Sequence, residues 1–335
     1  MNRAFAGIFT GGILTLAAVW FAPLTEAQSP LPPAVETHIA AAKAAAGTEH
    51  AGLFAAACDT ARDVIAQAAR GEGPRPPRTT VDPVPPRDTW HVEPVKVFDN
   101  LYYVGQRNVS AWALTTSDGI ILLDAIWDYS VEDEVVGGLK KLGLDPANIK
   151  YVVVTHGHGD HAGGAKLLQE RYGSRLVMSA ADYDWVEQSN LPWKPRRDLV
   201  ATDGYALTLG DTTVKLYITP GHTEGTLSPI FTVRDAGMPH AVAFWGGTLF
   251  NFGPIKPRLV GYVAETERFK RLAAAAKADI ILSNHTAYDG SMMKLPAVRS
   301  RKTGQPNPYV VGAASVANFL TVAGECAQAA IAGIP

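Results

Sequence analysis

Five of the nine histidines fall in three short stretches whose residue types suit a metal ion. The densest reads Thr155-His156-Gly157-His158-Gly159-Asp160-His161-Ala162-Gly163-Gly164. Side chains two apart on extended backbone project to one side, so His156 and His158 can aim two imidazoles at a common point. Asp160 and His161 follow where the loop turns into a helix, and the glycines let the backbone bend that tightly. Imidazoles and a carboxylate without cysteine suit Zn2+ or a similar first-row ion with an open coordination position. The same groups crowded together without a metal would repel one another on protonation. Gly221-His222-Thr223 and Ser283-Asn284-His285 each follow a strand candidate, at the carboxyl end where α/β folds hold their ligands. A lone histidine in such a place is an ordinary surface residue, and the company of the first loop changes that reading. His38, His50, His91 and His240 lack such settings and read as surface residues.

Bringing three loops together requires strands that end side by side. Period-two and β-branched apolar runs predict strands over 95–98, 101–104, 111–116, 119–123, 149–155 and 175–179, with helices over 131–142, 165–172 and 180–188. After a polar, proline-bearing loop over 189–204 the theme repeats, with strands over 205–209, 212–218, 227–233, 241–244 and 279–282 and a helix over 265–277. Two strand-rich halves with helices outside point to an α/β fold, a four-layer αββα sandwich. An Ala-rich helical segment over 35–70 precedes this body. A linker over 71–94 follows it, whose prolines forbid helix and central strand and make it an extended strap.

The 335 residues, 47% apolar and 19% charged, exclude wholesale disorder. Thirty basic against thirty-two acidic residues leave a net charge of -2, which gives no footprint for nucleic acid and points to a small-molecule partner. Arg3, the apolar run over 4–23 and the small residues Thr25 and Ala27 read as a signal peptide over 1–27. Its removal would leave no stable membrane association; a retained membrane-spanning anchor is the alternative. Residues 28–94 then form the helical segment and linker, and 95–335 the catalytic domain with C-terminal helices. Cys58 and Cys326 lie on helical stretches near either end, and form a disulfide in an oxidising compartment or remain two buried free thiols.

Over roughly residues 95–292 the sequence resembles the metallo-β-lactamase superfamily, through the motif from His156 to His161, Gly221-His222-Thr223 and His285. The resemblance implies the αββα fold of that superfamily and two zinc ions, one held by His156, His158 and His222, the other by Asp160, His161 and His285. It also implies that Asp124 braces the histidine loop. Glyoxalase II, acyl-homoserine lactonases and tRNA-processing relatives carry a metal-bridging aspartate where Gly247 stands here. The β-lactamases lack that bridge. Thr248 stands where another subclass has a cysteine ligand, and with His161 and His285 at the second zinc the arrangement is similar to subclass B3. The implied protein is a periplasmic or secreted di-zinc hydrolase that opens β-lactam rings by attack of a zinc-bound hydroxide, an antibiotic-resistance activity. Asp160 would orient the water and relay its proton. The alternatives are the same chemistry on a lactone or other ester, and a non-catalytic zinc-binding protein. Phe250 and Asn251 stand where the lactamases place polar or cationic partners for the substrate carboxylate, and Glu224 replaces a frequent proline. Trp127, Trp193 and Phe250 are candidate apolar walls of the groove, or plain packing residues.

Overall fold

Residues 120–123 are buried on both faces of one strand. Ile121 and Leu123 point to one side, Ile120 and Leu122 to the other, and none keeps more than 3% of its surface exposed. Such a strand needs a packed layer on each side. The structure, a computed structural model that describes residues 31–73 and 83–335 beyond Met1, supplies both layers. The signal-peptide expectation and the prolines Pro74, Pro76 and Pro77 lie outside the described residues.

Seven strands make the first sheet in chain order: β1 (Val95–Lys96), β2 (Leu101–Tyr103), β3 (Trp112–Thr116), β4 (Gly119–Leu123), β5 (Ile149–Val153), β6 (Arg175–Ser179) and β7 (Leu199–Ala201). β1 to β4 pair antiparallel, and β4 to β7 pair parallel. The second sheet holds β8 (Tyr205–Leu209), β9 (Thr212–Ile218), β10 (Leu227–Asp235), β11 (Met238–Trp245) and β12 (Ala278–Ser283), in the order β12-β11-β10-β9-β8. Only β11 and β12 run parallel there. An apolar slab lies between the sheets, where Trp112, Leu123 and Val153 of the first meet Leu216, Phe244 and Leu282 of the second. The other face of the first sheet, with Leu122, Val152 and Leu176, packs on Val135, Leu168 and Tyr183. Outside the second sheet, Phe269 of the helix Lys256–Ala275 lies 5.4 Å from Trp245. The result is the αββα arrangement read from the sequence.

The helical segment over 35–70 is two helices, Pro33–Ala46 and Ala51–Ala69, broken by a turn at Gly47, whose φ of 51° suits glycine. Both pack on the C-terminal helix Ala313–Gly333, and a disulfide joins Cys58 to Cys326 with their Cα atoms 4.7 Å apart. His50 is not a surface residue. It is buried at the start of the second helix, with Nε2 2.9 Å from the Ser315 carbonyl and its ring edge-on to Phe319, and burial lowers its pKa.

Three secondary-structure expectations also need correction. The strap over 71–94 contains a helical turn, Arg87–Trp90, because the prolines pause between Pro86 and Pro94 and Trp90 finds a buried place. The loop over 189–204 contains β7, which covers an edge of β6 that would otherwise stay open. The helix expected over 265–277 begins at Lys256. Pro257 sits in its first turn, where a missing N–H costs nothing, and Gly261 hides the periodicity.

Candidate metal centre

β5 runs parallel between β4 and β6 and delivers Thr155 and His156 from its carboxyl end. The second sheet contributes His222 beyond β9 and His285 beyond β12. At the end of β4, Asp124 takes a φ of 61°, a left-handed conformation uncommon outside glycine. Its surroundings hold it there. Its amide donates to the Val153 carbonyl at 2.8 Å, and its buried carboxylate accepts from the Thr155 amide at 2.7 Å and the Thr155 hydroxyl at 3.0 Å. His161 Nδ1 donates to the same carboxylate at 3.0 Å, so Asp124 ties the end of β5 to the helix that follows the histidine loop.

The ring nitrogens define two triads. His156 Nδ1 donates to the Gly246 carbonyl at 3.0 Å and His222 Nδ1 to the Leu249 carbonyl, which leaves both Nε2 atoms as bare lone pairs. Those lone pairs lie 3.1 Å apart, and His222 Nε2 is also 3.1 Å from His158 Nδ1. An electron-pair acceptor set among the three relieves that repulsion. In the second triad His285 Nδ1 donates to the Asn108 carbonyl at 3.0 Å, which frees its Nε2. The buried His161 Nε2 has no hydrogen-bond partner. Asp160 Oδ2 lies 3.3 Å from it and 3.6 Å from His285 Nε2. Within each triad the donor atoms lie inside 4.8 Å of one another. Nitrogen and carboxylate donors so placed fit zinc.

Electrostatics point the same way. Burial, reinforced by neighbouring imidazoles, holds His156 and His222 well below the usual histidine range, and burial brings His158 down to about 4. These rings are neutral, the state a ligand requires. Burial also works against charge at His161, but Asp160 and Asp124 outweigh it and raise its pKa to about 10 when no cation is present. A cation held by this triad would take the place of that proton.

The six residues expected to act as ligands are thus brought together, with Asp124 behind them. Thr248 stands aside, its hydroxyl 2.9 Å from Ser283 Oγ. Trp127 is half-buried, and its ring would lie 3.1 Å from a Cβ on Gly159, between His158 and Asp160. Trp193 abuts the same glycine but is buried in the core on that side. Phe250 is not a wall. It is fully buried with its ring 5.5 Å from Tyr262, because the helix from Lys256 presents that tyrosine beneath it. Asn251 and Glu224 are exposed. Gly247 carries a steric meaning invisible in the sequence: a Cβ there would stand 2.6 Å from His222 Cβ, so any side chain displaces a ligand.

Four residues were missed. Asn284 Nδ2 donates to the Gly246 carbonyl at 2.6 Å, beside His156, and its place next to His285 was the available signal. Trp185 stands 5.5 Å from the His158 ring. Arg258 donates to the carbonyls of Gly221 at 2.7 Å and His222 at 2.6 Å, and its guanidinium lies 4.2 Å from the Phe252 ring centre. Asp182 is buried between the two histidine loops. Nothing local in the sequence marks the last three.

Residues 104–235 match the family model of the metallo-beta-lactamase superfamily, and the chain carries a domain of that superfamily. Among solved structures it is similar to a subclass B3 metallo-beta-lactamase of Bradyrhizobium japonicum, at 29% identity and a TM-score of 0.59, covering 68% of this chain and 89% of that one. A metallo-beta-lactamase from Cronobacter sakazakii gives 28% identity and a TM-score of 0.59 over 69% and 91% of the two chains. A hydroxyacylglutathione hydrolase of Acidiphilium cryptum is 34% identical over 105 residues, which are 31% of this chain and 37% of that protein. The chain therefore spans well under two thirds of that curated relative.

Proposed function

We propose that the chain is a zinc-dependent hydrolase of small molecules whose leading substrate is a β-lactam ring. Two triads of ligand-type residues support the hydrolase reading, and the histidine loops of both are tied down by hydrogen bonds before any ion arrives. When bound, zinc supplies a Lewis acid and a water that ionises near neutral pH. The side chains do the rest. Asp160, with Oδ2 shared between His161 and His285, is placed to orient a water and take its proton. Trp127 and Trp185, both half-buried beside the histidine loop, offer apolar surface to a substrate.

One observation carries the preference for a lactam. Gly247 abuts His222 so closely that no bridging carboxylate fits there, so a cation held by Asp160, His161 and His285 would keep an open position suited to an anionic leaving nitrogen. Similarity to the subclass B3 structure over nine tenths of its length supports the same reading. A thioester, lactone or other ester is the second reading, favoured by the hydroxyacylglutathione hydrolase relative and by the commitment of Arg258 to backbone carbonyls instead of a substrate carboxylate.

Export to the periplasm or medium is part of the proposal. The Arg3-led apolar run supports it, and so does a disulfide that an oxidising compartment preserves. Mature protein from such a host should begin at Gln28. The deciding experiment is a hydrolysis screen of zinc-loaded protein over penicillins, carbapenems, lactones, thioesters and simple esters. Turnover of β-lactams supports the leading reading; brisk ester or thioester cleavage with every β-lactam intact replaces it with the second. Asn251→Lys, which adds an exposed cation two residues beyond Leu249, whose carbonyl holds His222, should lower KM for penicillins and leave a neutral ester unchanged.

A further inference from the structure

Asp182 lies in the first turn of the helix Ala180–Gln188, where Ser179 Oγ accepts its amide at 3.3 Å, and keeps 3% of its surface exposed. Its Oδ2 accepts from the Gly157 amide at 3.2 Å, between ligands His156 and His158, and from the Thr223 hydroxyl at 2.9 Å, next to ligand His222. The Gly225 amide lies against the same carboxylate, and a Cβ on Gly225 would stand 1.9 Å from Ser179 Oγ. Gly157 belongs to the loop after the first sheet, and Thr223 to a loop of the second. No other side chain among the described residues is shown bonding both Gly157 and Thr223. Arg258 grips only the His222 side, and Asp124 only the His156 to His161 side.

Burying a carboxylate with no cation in contact is costly, and a threonine or asparagine could occupy the space more cheaply. A carboxylate is instead an acceptor on both oxygens, so donors can converge on it from two loops without one of them meeting an N–H. We propose that Asp182 is a positioning residue that fixes the His156–His158 loop against the His222 loop and so sets the zinc affinity of the all-histidine triad. The proposal rests on the metal reading above and adds a selectivity to it. The Asp160, His161 and His285 triad hangs from Asp124 and Asn108, which Asp182 does not touch, and is indifferent to it.

The test isolates each triad. In a His285→Ala background only the all-histidine triad is complete, and in a His222→Ala background only the other. Zinc affinity is read by competition with a chromophoric chelator. Adding Asp182→Ala should weaken zinc about 10- to 100-fold in the first background, the usual cost of losing an orienting partner, and less than threefold in the second. Asp182→Asn and Thr223→Val should each weaken it less, Thr223→Ser should preserve it, and hydrogen exchange in metal-free Asp182→Asn should speed up at Gly157 and Thr223. Equal losses in both backgrounds, or unchanged affinity with only a lower Tm, would overturn the proposal. If Asp182→Ala does not fold, Asp182→Asn and Thr223→Val decide it by the same criteria. Unmutated protein that binds no zinc overturns the metal reading and this proposal together, whereas normal binding there with unchanged affinity in the variants overturns this proposal alone.

Discussion

His156 and His222 face each other through unprotonated Nε2 atoms 3.1 Å apart, each ring locked by a backbone carbonyl on its far side. Two lone pairs at that distance are a standing repulsion that a cation turns into attraction. Purified mature protein should therefore carry about two zinc ions by elemental analysis. His285→Ala should reduce the count to one, and chelation should lower Tm. At zinc a thousandfold above its Kd the linkage amounts to about 4 kcal/mol. One ion in unmutated protein with zinc in excess rules out the paired reading.

Asp124 offers a separation of charge from shape. Asparagine tolerates the left-handed backbone at this position, so Asp124→Asn removes the charge and one acceptor while keeping the turn. Asp124→Ala also strands the Thr155 amide, the Thr155 hydroxyl and His161 Nδ1, at about 1 to 3 kcal/mol for each donor left buried and unpaired. Urea unfolding should rank the proteins native, Asn, Ala. Zinc loss in the Asn variant should concentrate at the His161 triad; a uniform loss contradicts this assignment.

Asp289, which belongs to neither triad, gives a separate pH signature. Burial raises its carboxyl to about 6, against the pull of Lys294 and hydrogen bonds from Ser291 and Ser283. Its folded pKa thus exceeds the reference value of 3.8, and the folded protein holds the proton more tightly. The contribution to stability is fully present below about pH 4 and is lost as pH rises through about 6. Measured in chelator, the stability of native protein relative to Asp289→Asn should fall between pH 4 and 6 and level off above 7. A flat or rising difference refutes the shift.

The disulfide closes a sequence separation of 268 residues. Cys58→Ser with Cys326→Ser should lower stability by about 5 kcal/mol on loop-entropy grounds. Denatured, unreduced protein should show no titratable thiol; two thiols would mean that the pair does not form in the cell.

The ligands were legible because their logic is local. His156, His158, Asp160 and His161 sit within six residues, and the strand before them shows its burial in its β-branched composition. The sandwich was legible because the strand-rich theme runs twice along the chain, each time with helices to cover it. What escaped was decided across the chain. Phe250 looks like a groove residue until Tyr262 is placed under it, and His50 looks polar until Phe319 and Ser315 close over it. Asp182 lies 25 residues from Gly157 and 41 from Thr223, so its role exists only once the two loops meet. β7 escaped because a three-residue edge strand owes its existence to β6 more than to its own composition.

The two halves of the all-histidine triad hang from opposite sheets, His156 and His158 from the first and His222 from the second. The apolar slab formed by Trp112, Leu123, Leu216 and Phe244 therefore spaces the two sheets that carry the three ligands. A methylene removed from the slab should therefore be felt at the metal site as well as in the stability of the fold.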